Sequence, residues 1–237
     1  MKRVVTILSL VILFNDYVRA GNKHAADVYI IYYATAEGKT GHVGVAMDTY
    51  KIIYKEQAGA LISDTVNTGE LVYYDLWPNE DNFSVKKTGK NIPAVYFKLP
   101  MSSTDEITVN TLYDMGIPHR EHYPCDGMLQ IETSWEQDQW MIHFLDSTIT
   151  ANRDFNAKKF NCADFVRIPV EKLLDTRLRS REFIGTGWST TPNKLYQQLR
   201  KLDNVKVIKN ADEKATGSFL GQRVVYSIFH KTRKKGF

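Results

Sequence analysis

The stretch KKFNCADFVR, residues 158–167, places a cysteine where a polar run turns into an aliphatic one. Asn161 is a residue type favoured at helix N-caps and Asp164 follows three residues later, so a helix is predicted to begin at Asn161. Cys162 then lies in the first helical turn, where free backbone N–H groups and the helix dipole stabilise a thiolate, the reactive form of cysteine. Many buried cysteines are nevertheless inert. The stretch leaves four roles open for Cys162: packing residue, half of a disulfide, metal ligand or nucleophile.

The first half of the chain is rich in β-branched and aromatic residues. Strands are predicted at ADVYIIYYAT (26–35), HVGVAMD (42–48), KIIYKEQ (51–57), LVYYDLW (71–77) and AVYFKLP (94–100). The second and third of these are predicted to form a hairpin that turns at the intervening Thr-Tyr pair.

The second half of the chain has mainly helical patterns. Helices are predicted at 133–149, from 161 towards 174, and at 190–202. The first opens with a capping-box pattern of Thr133 and Glu136, and Pro169 is expected to kink or split the second. Thr191 before Pro192 is a helix start with proline at the first position. With late strands at 205–209 and 223–231, the order of elements predicts an α+β fold in which an antiparallel sheet packs against helices.

Residues 1–20 are predicted to be a signal peptide. Two basic residues precede the apolar run VVTILSLVILF (4–14), and YVRA (17–20) ends in small residues suited to cleavage. The apolar run is too short to span a bilayer comfortably. Residues 21–237 are then expected to form a single domain that is secreted or periplasmic, with no stable membrane insertion after cleavage.

The composition is that of an ordinary globular protein, with 43% hydrophobic and 24% charged residues, so disorder is not expected. The net charge of +4 comes with no basic stripe interleaved with aromatics, so no nucleic-acid partner is expected. No nucleotide-binding loop is present, and the histidines and cysteine of HREHYPCD (119–126) match no standard metal-site spacing. We therefore expect neither a cofactor nor a metal.

A nucleophilic cysteine needs a base, normally a histidine, to take its proton and later protonate the leaving group. Of the six histidines, His42 is the best candidate. It opens a predicted strand between Gly41 and Val43-Gly44, and these small neighbours leave room for a substrate backbone and for a helix N-terminus. The two cysteines, Cys125 and Cys162, could instead pair in an oxidising compartment, and sequence alone does not decide between these states.

Three segments, in order, are similar to a known superfamily. GHVGVAMDTYKIIY (41–54), FNCADFV (160–166) and TTPNKLY (190–196) resemble the histidine strand, nucleophile helix and threonine-proline segment of the permuted branch of the papain-like NlpC/P60 superfamily. That branch contains the bacterial YiiX/YaeF-like amidases and relatives of lecithin retinol acyltransferase. The resemblance spans roughly residues 27–200 and implies a permuted papain-like fold with the cysteine at a helix N-terminus.

The resemblance implies that Cys162 is the nucleophile and His42 the base. The group that orients the histidine is where the sequence departs from the family pattern. If a three-residue loop closes the predicted hairpin, Tyr54 and Glu56 share a face with His42, whereas a shift of one residue brings Lys55 and Gln57 there instead. Glu56 is favoured because a carboxylate would best stabilise an imidazolium. The backbone N–H of Cys162 is the expected oxyanion donor.

The leading functional hypothesis is an exported cysteine hydrolase that cleaves an amide bond through a thioester acyl-enzyme. Small peptides, cell-wall peptides or acyl amides are the substrate class that the resemblance implies. A second hypothesis is lipid acyl transfer or lipid hydrolysis at the same cysteine and histidine. A third is a binding module that has lost catalysis, for which a bridge between Cys125 and Cys162 would be sufficient.

Overall fold

The computed structural model describes residues 26–35, 41–79, 88–100, 106–114, 124–184, 187–212 and 217. Within these ranges the chain forms an α+β fold, as predicted, with one six-stranded antiparallel sheet, one two-stranded sheet and four helices. The predicted signal peptide and the predicted strand at 223–231 lie outside the described residues.

The large sheet contains most of the predicted strands. The strands are β1 (Ala26–Tyr33), β2 (His42–Gln57), β3 (Ala60–Pro78), β4 (Ala94–Leu99), β5 (Gly127–Thr133), β6 (Arg181–Phe183), β7 (Trp188–Thr190) and β8 (Val205–Lys209). The large sheet has the order β4-β3-β2-β1-β5-β8, and β6 pairs with β7 in the small one. Sequence reasoning found β1, β4 and β8 closely but missed β5, β6 and β7.

The four helices are α1 (Val109–Asp114), α2 (Trp135–Thr150), α3 (Cys162–Leu173) and α4 (Pro192–Leu199). None of the helices in the described ranges is long and apolar enough to cross a bilayer. The predicted N-caps of α3 and α4 are confirmed, because the side chains of Asn161 and Thr191 accept hydrogen bonds from the first-turn amides.

Two details of the helix predictions are wrong. The cap of α2 is Ser134, whose capping-box partner is Gln137, so the motif lies one residue beyond the predicted Thr133 and Glu136. Thr133 instead ends β5 and donates a hydrogen bond to a buried carboxylate. In addition, of the two effects expected of Pro169, a split does not occur, because α3 continues through it to Leu173.

The alternation of side chains along β1 creates two hydrophobic clusters, one on each face of the sheet. Val28, Ile30 and Tyr32 belong to the larger cluster, which α2, α3 and α4 cover. Tyr29 and Ile31 belong to the smaller cluster on the opposite face. The sheet therefore separates most of the helical layer from a second, smaller core.

The predicted turn at residues 49–50 is wrong, because β2 runs without a break from His42 to Gln57. The register shifts between Asp48 and Tyr50, where the pattern expected of a turn marks a β-bulge instead. The hairpin turns at Ala58-Gly59, whose φ values of 53° and 79° are those of a tight two-residue turn. Residues 50–67 thus form a two-stranded extension, here called the arm.

Candidate active site

Cys162 is the first residue of α3, and the local sequence explains why the helix begins there. Asn161 has an extended backbone, and its Oδ1 accepts hydrogen bonds from the N–H groups of Ala163 (2.9 Å) and Asp164 (3.1 Å). Its Nδ2 donates to the carbonyl oxygens of Ala157 and Thr190. The buried asparagine therefore fixes the start of the helix from both sides, and its cap uses the second and third amides rather than that of Cys162.

His42 is the first residue of β2 and only 4% exposed. Its Nε2 lies 3.1 Å from Oδ2 of Asp75, and Cys162 lies near enough for its side chain to influence the pKa of the imidazole. The indole of Trp77 stacks on the imidazole with ring centroids 4.2 Å apart. The structure thus brings the predicted nucleophile close to the predicted base, and a buried carboxylate contacts that base.

Asp75 is completely buried in the middle of the apolar end of β3. Its Oδ2 accepts hydrogen bonds from the Tyr73 hydroxyl (2.9 Å) and from Nε1 of Trp77 (2.9 Å), in addition to its contact with His42. Tyr73 and Trp77 are two residues away on either side, so all three side chains share one face of the strand. A buried carboxylate is costly unless it is hydrogen-bonded, and this one is held by neighbours on its own strand.

The electrostatics of His42 favour the imidazolium. Burial by itself lowers the pKa of His42, but the charge of a Cys162 thiolate, the hydrogen bonds to Asp75 and Cys162 and the charge of Asp75 together outweigh it and raise the pKa to about 9. Burial beside Asp75 also raises the pKa of Tyr73 well above its ordinary value, so the phenol stays a neutral donor. The arrangement suits a thiolate–imidazolium pair backed by a carboxylate.

A glycine makes room for this network. A Cβ added at Gly44 would lie 2.3 Å from the Tyr73 hydroxyl oxygen and 2.6 Å from the ring carbon that carries it. Such distances are impossible without movement of the ring. Glycine at this position therefore lets Tyr73 cross the neighbouring strand and reach Asp75.

The start of α3 is also tied to the β6–β7 hairpin. The Asp164 carboxylate accepts a hydrogen bond from the Thr190 hydroxyl (2.5 Å), and the Ser189 hydroxyl donates to the Ala157 carbonyl. These side chains are buried. The hairpin therefore positions the nucleophile-bearing end of the helix from outside the large sheet.

The structure does not bring Glu56 to His42. Glu56 pairs with Leu61 at the exposed end of the arm, and Tyr54 and Gln57 are exposed there too. Because β2 has no turn at residues 49–50, at about 3.3 Å per residue the strand carries Glu56 roughly 45 Å away from His42. The carboxylate that contacts His42 is Asp75.

Neither of the two cysteines forms a disulfide. Cys125 belongs to the smaller cluster, and its thiol donates to the carbonyl of Leu112 at 3.6 Å. Cys162 belongs to the larger cluster on the other face. Burial raises the pKa of Cys125 to about 11, which is the behaviour of a packing residue.

Three site residues were missed by sequence reasoning: Tyr73, Asp75 and Trp77. The signal was present in YYDLW (73–77), where an aspartate interrupts an otherwise apolar strand. An acidic residue on the buried face of a strand needs partners, and tyrosine and tryptophan at positions two before and two after can supply them.

Comparison of the chain with protein-family models, with curated proteins and with solved structures finds no match in any of the three. Within the described ranges no group of three or more His, Cys, Asp or Glu side chains could hold a metal ion. The case for catalysis therefore rests on the geometry around Cys162.

Proposed function

We propose that this protein is a cysteine hydrolase that cleaves an amide bond through a thioester acyl-enzyme. The observation that carries the proposal is the proximity of Cys162, at a helix N-terminus, to His42, which is hydrogen-bonded to the buried Asp75. A structural cysteine requires none of these features. A permuted papain-like arrangement is part of the proposal, since the histidine strand precedes the cysteine helix in the chain.

In the first half of the reaction the Cys162 thiolate would attack the carbonyl carbon of the amide. The negative charge that develops on the carbonyl oxygen is stabilised by the Cys162 N–H and the positive end of α3. The His42 imidazolium gives its proton to the leaving nitrogen, the C–N bond breaks, and an amine departs. The product on the enzyme is a thioester between the acyl group and Cys162.

In the second half a water molecule replaces the amine. Neutral His42 takes a proton from the water as the oxygen attacks the thioester carbonyl, and the C–S bond breaks to release a carboxylic acid. The Cys162 thiolate and the His42 imidazolium are regenerated. Asp75 touches neither substrate nor water in this scheme; it orients the imidazole and stabilises its positive charge.

The substrate class follows from the resemblance of the sequence to the permuted NlpC/P60 branch, which favours a small peptide, a cell-wall peptide or an acyl amide. As a further part of the proposal, the predicted leader places this chemistry in a secreted or periplasmic protein.

The test uses the wild-type chain and three variants: Cys162→Ala, His42→Ala and Cys125→Ala. Each is incubated with a panel of peptide and acyl amides and, separately, with an activated acyl ester, and the acyl-enzyme is sought by mass spectrometry. We expect a thioester on Cys162 in the wild type and in Cys125→Ala, none in Cys162→Ala, and slow formation in His42→Ala. Turnover that survives in Cys162→Ala would overturn the mechanism.

A further inference from the structure

Beside α3 lies a second concave feature that the proposed reaction does not use. It is a cavity of about 450 Å³ lined by Arg167, Arg177, Leu178, Arg179 and Arg181. That volume lies within the usual range for small-molecule pockets, roughly 300–1,000 Å³. Four of the five lining residues are arginines, so the wall of the cavity is strongly cationic.

The local sequence explains how the arginines come together. In RLRSR (177–181), Leu178 and Ser180 are buried while the three arginines are more exposed, so the segment alternates like a strand. The Leu178 N–H donates to Oε1 of Glu171 at 2.8 Å, which pins the segment to α3. The guanidinium groups of this segment therefore line the same cavity as Arg167 on the helix.

The carboxylates next to the cavity already form ion pairs with Arg167. Arg167 contacts Oδ1 of Asp164 at 3.0 Å and Oε2 of Glu171 at 2.7 Å. In the described part of the chain Arg177 and Arg179 have no carboxylate partner, and Arg181 donates to two backbone carbonyls rather than to an acid. The two acids thus leave an excess of positive charge around the cavity.

We propose that this cavity binds the phosphate group of a ligand. A phosphate carries up to two charges and several acceptor oxygens, and arginine binds it through paired N–H donors. A single carboxylate would engage one guanidinium and leave the others without a counter-ion. Phosphate could come from a small soluble ester or from a lipid headgroup, and the two sources share this chemistry.

The phosphate site does not depend on the proposed hydrolase. Its lining residues do not include Cys162, His42 or Asp75, and phosphate binding is therefore expected to persist in Cys162→Ala. Failure of the hydrolase test and failure of the phosphate test are for this reason separate results.

The first experiment measures binding of pyrophosphate to the full chain by calorimetry, at fixed ionic strength. The test variant is Arg177→Gln/Arg179→Gln, which removes two cations without touching the ion pairs of Arg167. The matched control is Lys51→Gln/Lys206→Gln, which removes the same charge from exposed positions on β2 and β8. We expect the test variant to bind at least tenfold more weakly and the control to bind as the wild type does.

A second arm distinguishes the source of the phosphate. The same three proteins are sedimented with vesicles of phosphatidylglycerol and with vesicles of phosphatidylcholine. Arginine-dependent sedimentation with the anionic vesicles identifies a lipid headgroup, whereas pyrophosphate binding without sedimentation identifies a small soluble ester. The proposal is overturned if the wild type binds neither probe, or if the control loses binding as much as the test variant does.

Discussion

Replacing Asp75 with asparagine tests whether this carboxylate stabilises the protonated form of His42. The pKa of His42 rises from 6.5 to about 9 in the folded protein, and Asp75 supplies two of the four interactions that raise it. The charge of Cys162 makes the largest of these contributions, and the hydrogen bond to Asp75 makes the next largest. A loss of one pKa unit on removal of the Asp75 charge lowers the equilibrium constant for the thiolate–imidazolium pair by about tenfold.

The assay is the rate of alkylation of Cys162 by iodoacetamide at pH 7, read by mass spectrometry. We expect Asp75→Asn to react on the order of tenfold more slowly than the wild type, as for a loss of about one pKa unit. Asparagine has the same shape and still accepts hydrogen bonds, so the fold should persist. Buried Cys125 reports on this directly, because its alkylation would reveal unfolding.

Two further variants calibrate the result. Glu56→Gln should react at the wild-type rate, since Glu56 lies on the exposed arm. Tyr73→Phe removes one hydrogen bond from the carboxylate but leaves its charge, so a smaller loss than in Asp75→Asn is expected. If folded Asp75→Asn reacts as fast as the wild type, or if Glu56→Gln is the slow variant, the assignment of Asp75 is refuted.

Two other variants probe the surroundings of the site, and a third tests a buried carboxylate on α2. Gly44→Ala should displace the Tyr73 ring and destabilise the protein by about 1–3 kcal/mol, measured by urea unfolding. Asn161→Ala removes the cap of α3 and one donor from each of two buried carbonyls, which also accept from the Ser189 hydroxyl, so a loss of about 1–3 kcal/mol and slower alkylation of Cys162 are expected. Burial raises the pKa of Asp138 from 3.8 to about 7, so the protonated carboxyl favours the folded state at low pH, and that stability is lost as the pH rises from 3.8 through 7. The stability of Asp138→Asn relative to the wild type should therefore increase as the pH is raised across this range, measured by thermal unfolding; a difference that does not change with pH would contradict this.

The beginning of α3 could be predicted from sequence because its signals are local. An N-cap asparagine acts on amides two and three residues away, so the information lies within one helical turn. The same holds for Thr191 and Pro192 at α4. Local chemistry of this kind is sufficient to predict that Cys162 lies at a helix N-terminus.

The partner of the histidine could not be predicted in the same way, because it depends on strand register. Glu56 is a candidate only if the chain turns at residues 49–50. In the structure that turn is absent, so Glu56 lies at the end of the arm and the partner of His42 comes from β3. Thr-Tyr at a bulge and Thr-Tyr at a turn look alike in sequence. Register is decided by pairing with β1 and β3 over many residues, which no local pattern contains.

The pairing of β2 with β3 nevertheless explains why Asp75 is the acid that reaches His42. In the register of β2 and β3, Val45 pairs with Tyr74, so Gly44 lies opposite Asp75 and His42 opposite Trp77. Side chains along β2 and β3 alternate between the face covered by the helices and the face that carries His42. Asp75 is on the same face as His42, so its carboxylate is buried beside the imidazole. A histidine near the start of a cysteine helix therefore predicts an acid on the neighbouring strand. That acid should be buried and flanked by tyrosine and tryptophan. Asp75 meets that description among the described residues of β3, and Glu56, outside the core on the arm, does not.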